Sequence, residues 1–238
     1  MKEIDRVAQE VLDLVQKGEY VNASQKVFFK KEQMEAMLNT VLHTPEDCKS
    51  AVELISSTVT INANYHVQTS TLKNRQTKIF VTDETTQVAA HRLIMKEGIT
   101  NLVLLNFASG KHPGGGFLKG SKAQEEDLCR CSGLYNCLAK QNAYYDYNIK
   151  QNSPLYSDHT IYSPNVPWFR KSSKKKPNDL FFASVITIPA PKTCEYVQKK
   201  MGGLNIIDEI IRRRVEIILA IAHFHGHQNL LLGAWGSS

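Results

Sequence analysis

His112-Pro113-Gly114-Gly115-Gly116-Phe117-Leu118-Lys119-Gly120-Ser121-Lys122-Ala123-Gln124-Glu125-Glu126 is the stretch from which the rest of this chain is best read. Three consecutive glycines bring bare backbone against a ligand, because no Cβ holds it away. Upstream, Asn101 to Phe107 reads as a buried strand; downstream, a helix runs from about Gln124 to Lys140. A strand, a glycine turn and a helix start place the turn where open α/β sheets bind their ligands, at the carboxyl end of a strand. Successive N–H groups in such a turn form an anion nest, and the helix adds its positive end. A diphosphate suits both. The dinucleotide fingerprint G-x-G-x-x-G fails because Lys119 stands where the third glycine is due, and no G-x-x-x-x-G-K-[ST] occurs. A flexible turn without a ligand is the plainer alternative.

The acids weigh against that alternative. A carboxylate at a helix start is favoured by the macrodipole by about 0.3–1 kcal/mol, which alone would explain Glu125 and Glu126. Neighbouring helical residues point roughly 100° apart. The two are therefore inequivalent, one suited to a scissile centre and the other to a sugar hydroxyl. Like charges so close raise one pKa, as a general acid near neutral pH requires, and glycosidic bonds need such an acid.

Outward from this stretch, strands and helices alternate. Apolar Ile4, Val7, Ala8, Val11, Leu12 and Val15 predict a helix over 3–17 ended by Gly18. A short strand at Gln25–Phe29 and a helix from Lys31 to His43 follow. Residues 1–50 thus read as an N-terminal helical accessory segment, and 51–238 as the main domain. In that domain Thr58–Ile61, Thr77–Val81, Thr160–Tyr162, Leu180–Ile188 and Asn229–Leu232 read as strands. Helices are expected from Asp83 or Glu84 to Lys96 and from Gly203 to about His223. The alternation implies an α/β domain with helices on both faces of its sheet. The tract Gln151–Pro177, rich in proline, serine and lysine, reads as one long functional loop.

The 238 residues suffice for a sizeable core, and 42% hydrophobic with 22% charged residues is an ordinary globular balance. The longest apolar runs, Leu102–Leu105 and Ile217–Ala222, are too short to cross a bilayer. No secretory signal opens the chain, so the expected location is the cytoplasm, with no membrane partner. Cys48, Cys129, Cys131, Cys137 and Cys194 lack zinc-knuckle spacing and read as structural thiols. The net charge of +6 favours polyanions, with the excess in Arg170–Lys176 and Arg212–Arg214; a solvated loop and helix face explain the same runs. His223-Phe224-His225-Gly226-His227 tempts a metal assignment, but helix-end histidines facing the dipole are the expected case. Trp168 and Phe169 are read as stacking on a base or anchoring the loop, and Tyr144, Tyr145 and Tyr147 as packing.

Gly114-Gly115-Gly116 followed by Gln124-Glu125-Glu126 resembles the signature of poly(ADP-ribose) glycohydrolases, of the microbial type. Asn106-Phe107-Ala108, Ser132-Gly133-Leu134-Tyr135, Ile161–Pro167, Ala8–Leu12, Pro189-Ala190-Pro191 and Gly233–Gly236 extend the resemblance over essentially the whole chain. It implies a macrodomain-like three-layer α/β/α fold with a mixed sheet. It implies that Glu126 protonates the leaving ribose oxygen and then activates water, while Glu125 hydrogen-bonds the ribose hydroxyls. Gln124 would support the helix start, Gly114, Gly115 and Gly116 would cradle the diphosphate, and Asn106 would contact the distal ribose. The implied ligand is poly(ADP-ribose) or ADP-ribose, with an ADP-ribosylated protein as a further partner, and neither metal nor cofactor is implied.

The resemblance also implies a second glycine-rich phosphate loop after Gly-Ala-Trp-Gly. Here the text stops at Gly236-Ser237-Ser238, with Ser237 where the family commonly has cysteine, and the domain reads as C-terminally incomplete. Weakened activity is the corresponding expectation. An ADP-ribose-binding module without turnover and a mono-ADP-ribosyl hydrolase are the alternative functions.

Overall fold

Leu102-Val103-Leu104-Leu105 explains the layering. Leu102 and Leu104 enter one buried cluster, while Val103 and Leu105 enter a second on the opposite side. Side chains alternate across a strand, so a strand covered on both faces needs apolar residues at every position.

The computed structural model describes residues 3–58, 60–61, 67–68, 77–199 and 201–235. Its first third contains α1 (Glu3–Lys17), β1 (Glu19–Asn22), β2 (Gln25–Phe28), α2 (Lys30–Leu38), β3 (Val41–His43), α3 (Pro45–Thr58), β4 (Thr60–Ile61) and β5 (Val67–Gln68). Then come α4 (Thr86–Met95), β6 (Leu102–Phe107), α5 (Gln124–Cys131), α6 (Leu134–Leu138) and α7 (Asn142–Gln151). The remainder is β7 (Thr160–Trp168), β8 (Phe181–Ile188), α8 (Thr193–Gln198), α9 (Leu204–Phe224) and β9 (Asn229–Leu231).

The main sheet has the order β3-β7-β8-β6-β9. Strand β6 is parallel to β8 and β9, whereas β7 is antiparallel to β8 and β3. Helices α1, α2, α4, α5, α6 and α7 contribute to the core on one face, and α3 and α9 to the core on the other. This is the expected three-layer α/β/α arrangement with a mixed sheet. Phe107 and Ile188 are register partners, so the loops after β6 and β8 leave the same edge of the sheet.

Several elements differ from expectation for local reasons. The helix expected to reach His43 stops at Leu38, and Val41–His43 pairs instead with Thr160–Tyr162 in the main sheet. The helix expected over 124–140 breaks at Ser132, whose backbone is extended and bridges to Trp168 while its hydroxyl bonds Leu128 O at 2.8 Å. The middle third of the expected long loop is β7. A register shift between Ser163 and Val166 takes up Pro164 and Asn165, a bulge of the kind that admits proline into a strand. Trp168 and Phe169 are wholly buried, and the Trp168 indole donates to Ala183 O, so neither is available to stack on a base. Residues 77–81, expected as a strand, form none. Ile79, Phe80 and Val81 are 84%, 82% and 94% exposed, and both sides of β6 are taken by β8 and β9. Thr58 ends α3, and among the described residues of that expected strand Thr60–Ile61 pairs, with β5. Helix α4 starts at Thr86, after the expected Asp83 or Glu84. Gly236, Ser237 and Ser238 lie outside the described residues.

The two basic runs are not uniformly solvated. Arg170 is buried and pairs with Glu10 of α1 at 3.0 Å. Arg214 of α9 is completely buried, although Arg212 and Arg213 beside it are exposed. Its guanidinium donates to Asp158 Oδ1 (2.9 Å), Pro189 O (2.8 Å), Leu155 O (2.7 Å) and Ser157 O (3.1 Å). Burial works against the Asp158 carboxylate, but Arg213 and Arg214 outweigh it and hold its pKa below the ordinary value.

Arg214→Met is expected to destabilise the protein by roughly 3–5 kcal/mol, because it removes the buried partner of Asp158 and strands three carbonyls. Arg213→Met removes an exposed partner of the same Asp158 and is expected to cost about 0–1 kcal/mol. Urea titrations of the two variants check the contrast.

Candidate active site

The site begins with how α5 is fixed to the sheet. The Gln124 side chain accepts from Phe107 N at 2.8 Å and donates to Leu105 O at 2.8 Å, as an adjacent strand would. Strand β9 pairs only with Leu102–Leu104, so Gln124 takes over the β6 edge where β9 stops. Its amide also reaches Thr86 Oγ1 at 3.2 Å, and Asp127 receives Gln87 Nε2 at 2.5 Å, both from α4. The helix start is thereby tied to β6 and α4.

With α5 so placed, Glu125 and Glu126 point to different partners. Glu125 is 2% exposed and receives Asn106 Nδ2 at 3.1 Å on one oxygen and Ser109 N at 2.7 Å on the other. Asn106 is itself buried and shares its amide with Thr187 Oγ1 at 3.2 Å. Glu126 is 6% exposed, and its Oε1 receives Gly116 N at 2.7 Å. Its Oε2 is buried with no protein partner, as is Asn106 Oδ1. Buried polar atoms are normally satisfied by protein, water or ligand, so these two are free to take a polar partner.

Desolvation pushes the Glu125 carboxyl up to about 8; the Ser109 and Asn106 hydrogen bonds pull against it, and the charge of Glu126 adds to the rise. The same kind of burial drives the thiol of Cys129, beneath the glycine turn, well above its ordinary pKa.

Gly115 is the point of closest approach. A Cβ there would lie 2.5 Å from Glu126 Oε1 and 3.1 Å from Glu125 Oε2, and its φ is +58°. Glycine is required twice, by space and by a backbone conformation that L side chains resist. Phe117, wholly buried with its ring 5.0 Å from that of Tyr135, anchors the turn below. Arg130 of α5 donates to Ser121 O and closes the far end of the loop on the helix.

All seven residues singled out from the sequence, Asn106, Gly114, Gly115, Gly116, Gln124, Glu125 and Glu126, belong to this one assembly. Ser109 was missed. Its contribution is a backbone N–H, which any residue but proline supplies, and the side chain gives no signal. The histidine run lies elsewhere: His225 Nε2 is 2.9 Å from His43 Nε2, its ring stacks on Tyr162 at 3.6 Å, and His227 meets the Tyr162 hydroxyl at 2.8 Å. Among the described residues, no group of three or more His, Cys, Asp or Glu is placed to hold a metal ion. No described helix is long and apolar enough to cross a membrane.

Comparison with known proteins agrees with this geometry. Residues 8–171 match the family model of the microbial-type PARG (poly(ADP-ribose) glycohydrolase) catalytic domain. The structure of poly(ADP-ribose) glycohydrolase from Thermomonospora curvata is similar over 99% of this chain and 80% of its own, at 35% identity and a TM-score of 0.86. The same enzyme bound to the inhibitor ADP-HPD has a TM-score of 0.84 with equal coverage and identity. The Deinococcus radiodurans enzyme in complex with ADP-ribose is similar over 87% of this chain and 78% of its own, at 37% identity and a TM-score of 0.75. No curated protein sequence matches the chain.

Two outcomes follow from the packing and the buried charge. Gly115→Ala is expected to lower stability further than Gly226→Ala, since Gly226 also has positive φ but nothing within 4 Å of its Cβ position. The backbone contribution, about 1–2 kcal/mol, is common to both, and urea midpoints isolate the carboxylate clash. For Glu125 the unfolded chain releases its proton near the ordinary 4.5, whereas the folded chain keeps it to about 8. In that window the native state binds more protons, so the Glu125 contribution to stability falls as pH rises. The melting temperature of the wild type relative to Glu125→Gln should therefore drop steadily from pH 5 to pH 8 and level off above it.

Proposed function

The chain belongs to the microbial-type poly(ADP-ribose) glycohydrolase family, and we propose that Glu126 is the general acid and base of its glycoside hydrolysis. The observation that carries this is the contrast between the two carboxylates. Both oxygens of Glu125 are engaged by protein donors, while Glu126 Oε2 is buried with no protein partner. A proton-transfer group needs a free oxygen within hydrogen-bond reach of the reacting atom.

In the reaction, a ribose–ribose bond of poly(ADP-ribose) lies across Glu126. The protonated carboxyl gives its proton to the bridging oxygen, and the bond from that oxygen to the anomeric carbon breaks. The leaving ribose departs as an alcohol, and an oxocarbenium-like sugar remains. The Glu126 carboxylate then accepts a proton from the water that attacks the anomeric carbon, which releases ADP-ribose and restores the acid. Glu125, fixed by Asn106 and Ser109, hydrogen-bonds the ribose hydroxyls and sets the angle of the acetal. Asn106 Oδ1, buried without a protein partner, contacts the distal ribose. The turn Gly114–Gly116 offers backbone to the diphosphate, supported by the positive end of α5. A macrodomain-like placement is supported by the position of this turn at the carboxyl end of β6. Work inside the cell is supported by five free thiols, four of them buried.

Glu126→Gln is expected to cut release of ADP-ribose from labelled polymer by at least about 10²-fold, the range of a lost general acid. ADP-ribose affinity, measured by calorimetry, should change little. Turnover retained in this variant removes Glu126 from the role; wild-type binding without release would reduce the protein to a binding module.

A further inference from the structure

Three chain segments meet beside the glycine turn and build a wall that the hydrolytic step does not use. Gly110 follows directly on Ser109, the residue whose N–H holds Glu125. The Tyr156 ring packs on Gly110 so closely that a Cβ there would lie 2.5 Å from its Cδ1 and Cε1. Tyr156 has φ +57°, and Asn152 at the other end of the same loop has φ +47°. Left-handed backbone at a bulky residue is rare, and where such strain persists it clusters at ligand sites.

Arg214 holds the wall rigid. Its guanidinium donates to Leu155 O and Ser157 O on both sides of Tyr156, and to Pro189 O at the end of β8. The third segment is pinned by Lys192 N, which donates to Pro154 O at 2.8 Å. Two ammonium groups stand on the wall. Lys111 Nζ reaches Asn152 Oδ1 at 3.3 Å, and Lys192 Nζ lies 5.8 Å from the Tyr156 ring centroid. The Lys192 ammonium is half exposed, and the carboxylate beside it is Glu195, at 3.6 Å.

The side of the site on which the wall stands suggests its ligand. Glu126 is held from Gly116, the diphosphate side of the turn, whereas Glu125 is held from Ser109, at the foot of the wall. In the function proposed above the ADP-ribose unit being released takes the glycine turn, which leaves the wall on the Glu125 side for the rest of the chain. We propose that Lys111 and Lys192, carried on the Tyr156 wall, form a subsite for the diphosphate of the adjoining ADP-ribose unit, the leaving group of the cleavage. This rests on the function proposed above. The subsite gives the enzyme a preference for polymer over ADP-ribose carrying a small leaving group, because only polymer places a second diphosphate there.

The test compares two substrates in one variant. kcat/KM is measured on purified poly(ADP-ribose) and on ADP-ribose bearing a chromogenic phenol at its distal ribose, for the wild type and for Lys111→Glu/Lys192→Glu. The proposal expects the polymer-to-phenol ratio to fall at least tenfold, through a higher KM for polymer, with Lys111→Gln/Lys192→Gln intermediate. It also expects the wild-type KM for polymer to rise more steeply with salt than that of the charge-reversed variant. A ratio unchanged in both variants overturns the subsite and leaves the hydrolase reading intact. Failure of the wild type to turn over either substrate overturns the hydrolase reading and the subsite with it. Because the ratio is internal to each preparation, a general loss of folded protein does not mimic the expected result.

Discussion

Two adjacent carboxylates buried under a backbone turn are costly, since an ionised carboxyl removed from water loses several kcal/mol of solvation even after relaxation. The rest of the site can be understood as the response to that cost. Three donors from three places, Asn106 on β6, Ser109 just beyond it and Gly116 in the turn, each take one oxygen. One oxygen, on Glu126, is left over. The absence of a side chain at Gly115 lets the turn come close enough for this to work. The donors can keep their positions only because Gln124 fastens α5 to the open edge of β6. A short helix that frays at its first turn would carry both acids away from their donors.

The asymmetry between the carboxylates arises from the same arrangement. On an isolated helix Glu125 and Glu126 would differ only in direction. In the folded chain both oxygens of Glu125 meet a protein donor, whereas Glu126 meets one only on Oε1 and keeps Oε2 free. Their chemistry is therefore divided by backbone geometry, and the side chains themselves are identical.

Much of this was legible in the sequence because side-chain identity carried it. The triple glycine, the acid pair, Gln124 and Asn106 are residues whose chemistry is visible without coordinates, and the fold brings them together. The layered fold was legible from apolar runs such as Leu102–Leu105, which only a doubly covered strand can use. What could not be read was carried by backbone or by long-range pairing. Ser109 acts through an N–H. Val41–His43 becomes a strand because Thr160–Tyr162 offers an edge to it, a partner over 100 residues away. Residues 77–81 have the composition of a strand but lack a free ladder beside β6. Arg214 sits in a run of three arginines whose helical phase decides that one points inward, and composition alone averages that away. Pro164 suggested a loop, and a bulge made it compatible with β7.

The connectivity of β6 has a consequence for how the molecule is made. Asn106 on β6 meets Thr187 on β8 across 81 residues of sequence, and the remaining edge of β6 waits still longer for β9. At ribosomal rates of about 5–20 residues per second, the first of these delays is of order 4–16 s. Throughout that interval the apolar run Leu102–Leu105 has been synthesised but has neither of its sheet neighbours. The strand that later presents Asn106 to the acid pair is thus among the segments of a nascent chain most in need of shelter from other unfinished chains.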